Sequence, residues 1–230
     1  MKCIVPLAGP DLWTQQYGLR PLVNVNGIPL IEAALRPRAW AAAMEPSDYI
    51  FVIRETTGYA ELADYLRKTW PGSRSVTLSD VTEGALFSCL AAMALVPTDE
   101  TVIIDLADIF FTEGPEDPDA LMTEKGYGAV VPVFVSNEAC YSYLRIEDGF
   151  VTGAREKIVI STNASAGVYM FRNSEVFFQA AAHSIAHRAE LAHKNKLFIC
   201  PMINGVIAGG LKVVAPAVSD CQPVGKMFHL

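Results

Sequence analysis

The 230-residue chain has no apolar run near the roughly 18 residues needed to cross a bilayer. Its longest apolar stretches, Val102-Ile103-Ile104 and residues 128–135, are strand-sized, which excludes a helical membrane protein. It also lacks a surplus of basic residues: 18 Lys and Arg against 25 Asp and Glu give a formal charge of −7. A general nucleic-acid binder is thereby disfavoured, because phosphate backbones are held by clustered cations. A single nucleotide at a locally basic or metal-assisted site remains compatible with that charge. No CxxC pair occurs. The cysteines Cys3, Cys89, Cys140, Cys200 and Cys221 are odd in number and widely spaced, and they read as buried free thiols. His183 and His187 stand four residues apart, but the Glu of an HExxH motif and a third ligand are missing. Together with His193 and His229 they read as surface residues. The opening Met1-Lys2-Cys3-Ile4-Val5-Pro6 has neither the apolar stretch nor the cleavage site of a signal peptide, so a cytoplasmic location is expected. Internal repeats and low-complexity segments are absent.

What the sequence does have is a sizeable core. Apolar residues make up 51% and charged residues 19%, and the length favours one large α/β unit. Short apolar runs alternate with helical patterns, the signature of βαβ units. Strands are predicted at 2–7, 49–53, 75–78 and 101–104. Helices are predicted at 29–43, with Pro37 an irregularity, and at 59–69, ended by Trp70-Pro71-Gly72. A third helix, 83–94, is capped by Thr82 with Glu83 near its N-terminus. After Asp108 the pattern changes to a loop at 114–118 and strands at 128–135, 141–146, 150–152 and 164–171, with a hairpin turn at Glu147-Asp148-Gly149. A helix at 175–193 capped by Ser174, a short helix at 201–208 and a strand at 211–214 complete the pattern. The expected architecture is one domain, a mixed and mostly parallel sheet flanked by helices. Strands 2–7 and 101–104 are expected inside the sheet, with a nucleotide-binding lobe over 1–110 and an acceptor lobe over 111–230.

Four segments carry candidate chemistry. Leu7-Ala8-Gly9 leaves the C-terminal end of the first strand, where α/β folds hold ligands. There Gly9 admits a phosphate close to the backbone and Arg20 pairs with it, although an ordinary surface loop reads equally well. Asp105 and Asp108 follow the most apolar strand, and Asp108 in particular suits Mg2+, a hard cation held by one or two carboxylates plus phosphates. A turn-capping aspartate is the alternative. Thr82 and Gly84 stand at a helix start, facing a base or phosphate or serving as a plain cap. Glu156 and Lys157 suit an acceptor's hydroxyls and phosphate, or a solvated surface pair.

In this order the segments resemble sugar-phosphate nucleotidyltransferases of the nucleoside-diphosphate-sugar pyrophosphorylase type. Ile4-Val5-Pro6-Leu7-Ala8-Gly9 is similar to that family's opening strand and glycine loop. Arg20-Pro21-Leu22, followed by Gly27-Ile28-Pro29-Leu30-Ile31, is similar to its Lys-Pro-Leu motif and helix start. Residues 82–85 match the base-proximal segment, Asp108 the metal-binding aspartate, and Glu156-Lys157 with Gly167 the sugar-phosphate side. Residues 198–204 resemble the late segment of the short, capsule-type members. The resemblance implies a nucleotide-diphospho-sugar-transferase fold of Rossmann-like, GT-A-like type, and a role in nucleotide-sugar and capsule polysaccharide biosynthesis. It also implies an NTP and a phosphorylated small-molecule acceptor as partners, Mg2+ as cofactor, no nucleic acid and no membrane, with self-association left open. Catalytic roles fall to Arg20, Asp108 and Lys157, nucleotide binding to Leu7, Ala8, Gly9, Thr82 and Gly84, and acceptor binding to Glu156, Lys157 and Gly167.

Three departures keep rival readings open. Where the family has a Gly-x-Gly-Thr-Arg run, Pro10-Asp11-Leu12-Trp13 stands, and Asp11 sets negative charge where phosphates are expected. Arg20 replaces the lysine, keeping charge but not shape. No second metal aspartate precedes Pro223-Val224-Gly225, and Asp220 is the nearest substitute. A non-catalytic nucleotide-binding relative is one rival. A glycosyltransferase using Asp105 and Asp108 as a variant Asp-x-Asp site is the other.

Overall fold

A strand that is apolar on both faces is stable only where helices cover both sides, and the first half of the chain supplies three such runs, with a fourth, alternating strand at the sheet edge. A computed structural model of the chain describes residues 1–114 and 117–224. Lys2–Pro6 (β1), Tyr49–Arg54 (β2), Arg74–Leu78 (β3) and Val102–Asp105 (β4) lie parallel, with β1 between β2 and β4. Ile109–Thr112 (β5) then leaves this sheet. Ala129–Val130 (β6), Val168–Phe171 (β11) and Val213–Val214 (β12) complete a seven-stranded sheet in the order β12-β6-β11-β4-β1-β2-β3. Only β11 runs against the others. The expected mostly parallel sheet is therefore present, with β1 and β4 interior.

Successive residues of the central strands face two apolar layers. Ile4, Ile50, Val52 and Ile104 meet the helices Ala85–Ala92 (α3), Ser174–Ala186 (α4) and Ile203–Ala208 (α5). Cys3, Val5, Phe51, Ile53 and Ile103 meet Leu30–Leu35 (α1) and Tyr59–Thr69 (α2) on the opposite face. A small antiparallel sheet joins Val133–Val135 (β7), Asn163–Ser165 (β10), Tyr143–Glu147 (β8) and Phe150–Arg155 (β9) in that order. Ser219–Pro223 (β13) pairs with β5. No described helix is long and apolar enough to cross a membrane.

Several expected elements are shorter than their sequence pattern. The helix predicted at 29–43 stops at Leu35, and a 3-10 turn, Ala39–Ala43, replaces its second half. Arg36 keeps helical dihedrals and its N–H still bonds Glu32 C=O (3.0 Å), but Pro37 has no N–H to continue the ladder. The run 128–135 divides at Val131-Pro132, and the run 164–171 divides at Ala166-Gly167, where Gly167 takes φ +78°. The first run passes from the central sheet to the small one and the second passes back, and Ala166 N–H bonds Pro132 C=O (2.9 Å) where they cross. Gly84, not Thr82, takes the cap position of α3, and Asn173, not Ser174, caps α4 through Val176 N–H (3.0 Å). Ser174 hydroxyl instead donates to Pro97 C=O (2.8 Å). The helix predicted to reach His193 ends at Ala186, with a short turn, Arg188–Leu191, after it. The hairpin turn at Asp148-Gly149 forms as expected, with φ +50° and +80° at its two centre residues. Within the loop predicted at 114–118, residues 115 and 116 lie outside the described residues, as do Gly225 and His229.

Candidate functional site

The C-terminal ends of parallel strands leave their loops on one side of the sheet, and a cleft forms where neighbouring connections diverge. Here that cleft has a volume of about 550 Å³. Pro6 at the end of β1, the Leu106–Asp108 stretch after β4, Gly167 before β11 and the Glu156-Lys157 loop after β9 all open onto it.

Its floor is made by Asp108. The Oδ1 of this half-buried side chain is shielded from solvent and has no hydrogen-bond partner. Burial pushes the Asp108 carboxyl above the usual carboxylate range, Arg20 counteracts part of that, and Asp105 and Asp11 add to it. Gly167 fits against Asp108 because it has no side chain: a Cβ there would stand 2.8 Å from Asp108 Oδ1, on a backbone of positive φ. Asp105, three residues earlier, has a different environment. It is fully buried and takes both hydrogen bonds of the Arg38 guanidinium (2.8 and 3.3 Å) together with Ala107 N–H (2.8 Å). Arg38 also donates to Ile109 C=O (3.0 Å) and stacks over Phe111. Asp105 is therefore absent from the cleft, and the reading that pairs it with Asp108 as a metal site loses one ligand.

One wall comes from the loop after β1. Ala8, Gly9, Pro10, Asp11 and Arg20 line it, and Asp11 forms an ion pair with Arg20. Gly9 C=O accepts from Leu12 N–H (3.1 Å) and from Arg54 (3.4 Å). Leu7 is a correction: its N–H bonds Val52 C=O (2.8 Å), and it lines a small recess beneath the loop, outside the main cleft. On the adjoining side lie Thr82, Gly84, Ala85 and Ser88. The Thr82 hydroxyl lies 2.9 Å from Gly84 C=O and 2.8 Å from Ser88 Oγ. Gly84 has φ +121°, and a Cβ there would fall 2.0 Å from Leu197 C=O, so only glycine lets residues 197 and 84 approach.

The opposite wall holds Glu156 and Lys157. Glu156 is buried, accepts from the Ser142 hydroxyl, and is raised above its ordinary range by burial. Lys157 is exposed, has φ +54°, and reaches over the Phe198 ring (5.8 Å). Sequence reasoning gave no role to several residues lining the cleft: Ser142, Tyr169, Cys200, and a hairpin carrying His193, Lys194 and Lys196. The adjacent Lys194-Asn195 turn pair was the one available signal, and it lay just past the end of the helix predicted at 175–193. Asp220 is the second correction. It is exposed on β13, accepts from the Ser219 hydroxyl (3.2 Å) and does not line the cleft. Among the described residues, no three His, Cys, Asp or Glu side chains gather as a metal cage.

Several solved structures share the fold. A nucleoside-diphosphate-sugar pyrophosphorylase from Vibrio cholerae RC9 superposes with a TM-score of 0.79 at 18% identity, over 98% of this chain and 96% of that one. A UDP-glucose pyrophosphorylase complexed with UDP-glucose gives 0.69 at 16% identity, over 94% and 89%. The inositol-1-phosphate CTP transferase from T. maritima gives 0.66 at 12% identity, over 96% and 86%. No protein-family model and no curated protein matches the sequence.

Proposed function

We propose that the protein is a nucleotidyltransferase that moves NMP from an NTP to a sugar 1-phosphate or similar phosphorylated metabolite and releases pyrophosphate. The observation that carries this reading is the cleft itself. It gathers the Arg20 loop, Lys157 and Asp108, whose Oδ1 has no hydrogen-bond partner, around one cavity. The solved structures of this fold are described as pyrophosphorylases and a CTP transferase, which supports the same class.

An acceptor phosphate oxygen attacks the α-phosphorus, the bond from that phosphorus to the bridging oxygen breaks, and pyrophosphate leaves with the electron pair. Positioning and charge neutralisation are what the protein contributes. Arg20 faces the phosphates once Asp11 is displaced from it or shares it. Lys157 neutralises the acceptor phosphate, and buried Glu156 orients acceptor hydroxyls. Gly167 leaves the floor open at Asp108. Asp108 would hold Mg2+, because its Oδ1 is a carboxylate oxygen with no hydrogen-bond partner, the donor type a hard cation takes beside phosphates. Bound there, Mg2+ supplies charge neutralisation on the phosphates.

The Asp11–Arg20 ion pair favours a second reading, a nucleotide-binding relative that no longer catalyses, since the cation meant for phosphate is already occupied. A thermal-shift panel of NTPs and NDP-sugars with and without Mg2+ separates these readings from no nucleotide function. A ligand at 100 times its Kd adds about 2.7 kcal/mol of stability. In the enzyme reading, Mg2+-dependent stabilisation is present and Asp108→Asn abolishes it. Pyrophosphate release from an NTP and a sugar 1-phosphate then distinguishes the enzyme from the binding relative.

A further inference from the structure

Lys157, Lys194 and Lys196 all open onto the cleft, and none of them has a carboxylate partner among the described residues. Two of them are presented by a built hairpin. His193 and Lys196 exchange both backbone hydrogen bonds at 3.0 Å, and Lys194 and Asn195 take φ +48° and +60°, a type I′ turn. Arg188 anchors the turn: it donates to Asn195 C=O (2.7 Å) and Asn195 Oδ1 (3.3 Å) and pairs with Glu83 (2.8 Å). Leu197 N–H then bonds Glu83 C=O (2.9 Å), which fixes the strand leaving the hairpin against the start of α3. The imidazole of His193 is held below its ordinary range by burial and then by the nearby Lys157 and Lys194.

The cleft's acidic groups do not balance these cations. Arg20 and the three lysines outnumber the carboxylates that line the cleft, Asp11, Asp108 and Glu156, and Asp11 is already paired with Arg20. A phosphate monoester at neutral pH carries about −1.5 to −2, which one or two lysines already match. Three lysines lining the cleft of a chain of net charge −7 therefore leave an excess of positive charge at this mouth. A cationic headgroup would be repelled there.

We infer that the acceptor carries a second anionic group besides its phosphate, and that Lys194 and Lys196 bind that group. The inference rests on the nucleotidyltransferase reading above and narrows its acceptor. A carboxylate and a second phosphate share the required chemistry.

Titration calorimetry on the full chain tests it with four probes: glucose 1-phosphate, glucuronic acid 1-phosphate, glucose 1,6-bisphosphate and phosphocholine. At least one of the two doubly anionic probes is expected to bind roughly fivefold tighter than glucose 1-phosphate or better, as one or two added charge contacts in a partly solvated cleft would give. Phosphocholine is expected to bind weakest. The Lys194→Ala/Lys196→Ala variant should lose the preference, whereas the remote control Lys125→Ala/Lys212→Ala should keep it. Whichever probe responds identifies the second group as carboxylate or phosphate. Equal affinities overturn the inference, as does a preference that survives in the hairpin variant or vanishes in the control. NTP affinity that falls in the hairpin variant while the sugar-phosphate preference stays would assign the lysines to the nucleotide and overturn it as well. NTPs are titrated separately: failure of every NTP to bind overturns the underlying reading, whereas NTP binding without the acceptor preference overturns this inference alone.

Discussion

Asp105 and Asp108 stand three residues apart at the end of one strand, yet the fold treats them oppositely. On the face covered by α1 and α2, Asp105 is fully buried and every oxygen has a donor. On the cleft side, Asp108 has a shielded oxygen with no donor at all. The first arrangement stabilises the fold and leaves nothing for a ligand. The second is unfavourable in the free protein and becomes favourable only when something positive arrives. A carboxylate pair read from sequence alone looks like one site; the structure makes one of them a brace and the other a receptor.

The strongest way to break this contrast is to remove the Asp105 partner. Arg38→Met leaves a buried charge uncompensated and should cost about 3–5 kcal/mol in urea unfolding. A loss below about 1 kcal/mol would mean that Asp105 is not the brace described. Next in size is Gly167→Ala. A non-glycine residue at its positive φ should cost about 1–3 kcal/mol, and the added methyl, crowding Asp108 Oδ1, should weaken any Mg2+-dependent nucleotide stabilisation as well. Intact Mg2+ dependence there would remove Asp108 from the floor of the ligand site.

Smaller effects are expected at the nucleotide wall. Asp11→Gly frees the Arg20 guanidinium and should tighten NTP binding by about 1 kcal/mol, or several-fold, while Arg20→Ala should weaken it. Unchanged affinity in the first variant would show that this loop does not face the phosphates. The smallest effect is the stability of Asp108→Asn itself. Because the folded-state carboxyl is raised, the folded chain holds its proton more tightly than the unfolded chain. Stability is therefore lost as pH rises from the ordinary aspartate range through the raised value. The asparagine variant lacks that loss, so its advantage over the wild type should appear at neutral pH and shrink as pH falls below about 4. An advantage independent of pH would contradict the raised carboxyl.

Local signals were the ones legible in the sequence. The helix Tyr59–Thr69 ends where Trp70-Pro71-Gly72 stops it, and Asp148-Gly149 turns the β8–β9 hairpin, because each is decided by residues within one turn. The interior position of β1 and β4 followed from strands apolar on both faces. The partner of Asp105 was hidden, since Arg38 lies 67 positions away in a segment that reads as helix. The transfer of 128–135 and 164–171 between two sheets was hidden too, because a strand that changes sheets keeps the same apolar composition throughout. Of the candidate site, the residues at strand ends were recoverable: Gly9, Asp108 and Glu156-Lys157 lie around one cleft. The hairpin at 193–196 was not, because its meaning depends on Arg188 and Glu83 meeting in space.

The reversed strand β11 also governs how the chain can be made. It lies between β4 and β6, so the central sheet cannot close beside β4 until residue 171 has been synthesised. During that interval the first four strands present an open, apolar edge, the kind of edge along which partly folded chains pair with one another. Arg38 and Asp105, whose ion pair is buried in the folded chain, are both translated before that edge is covered.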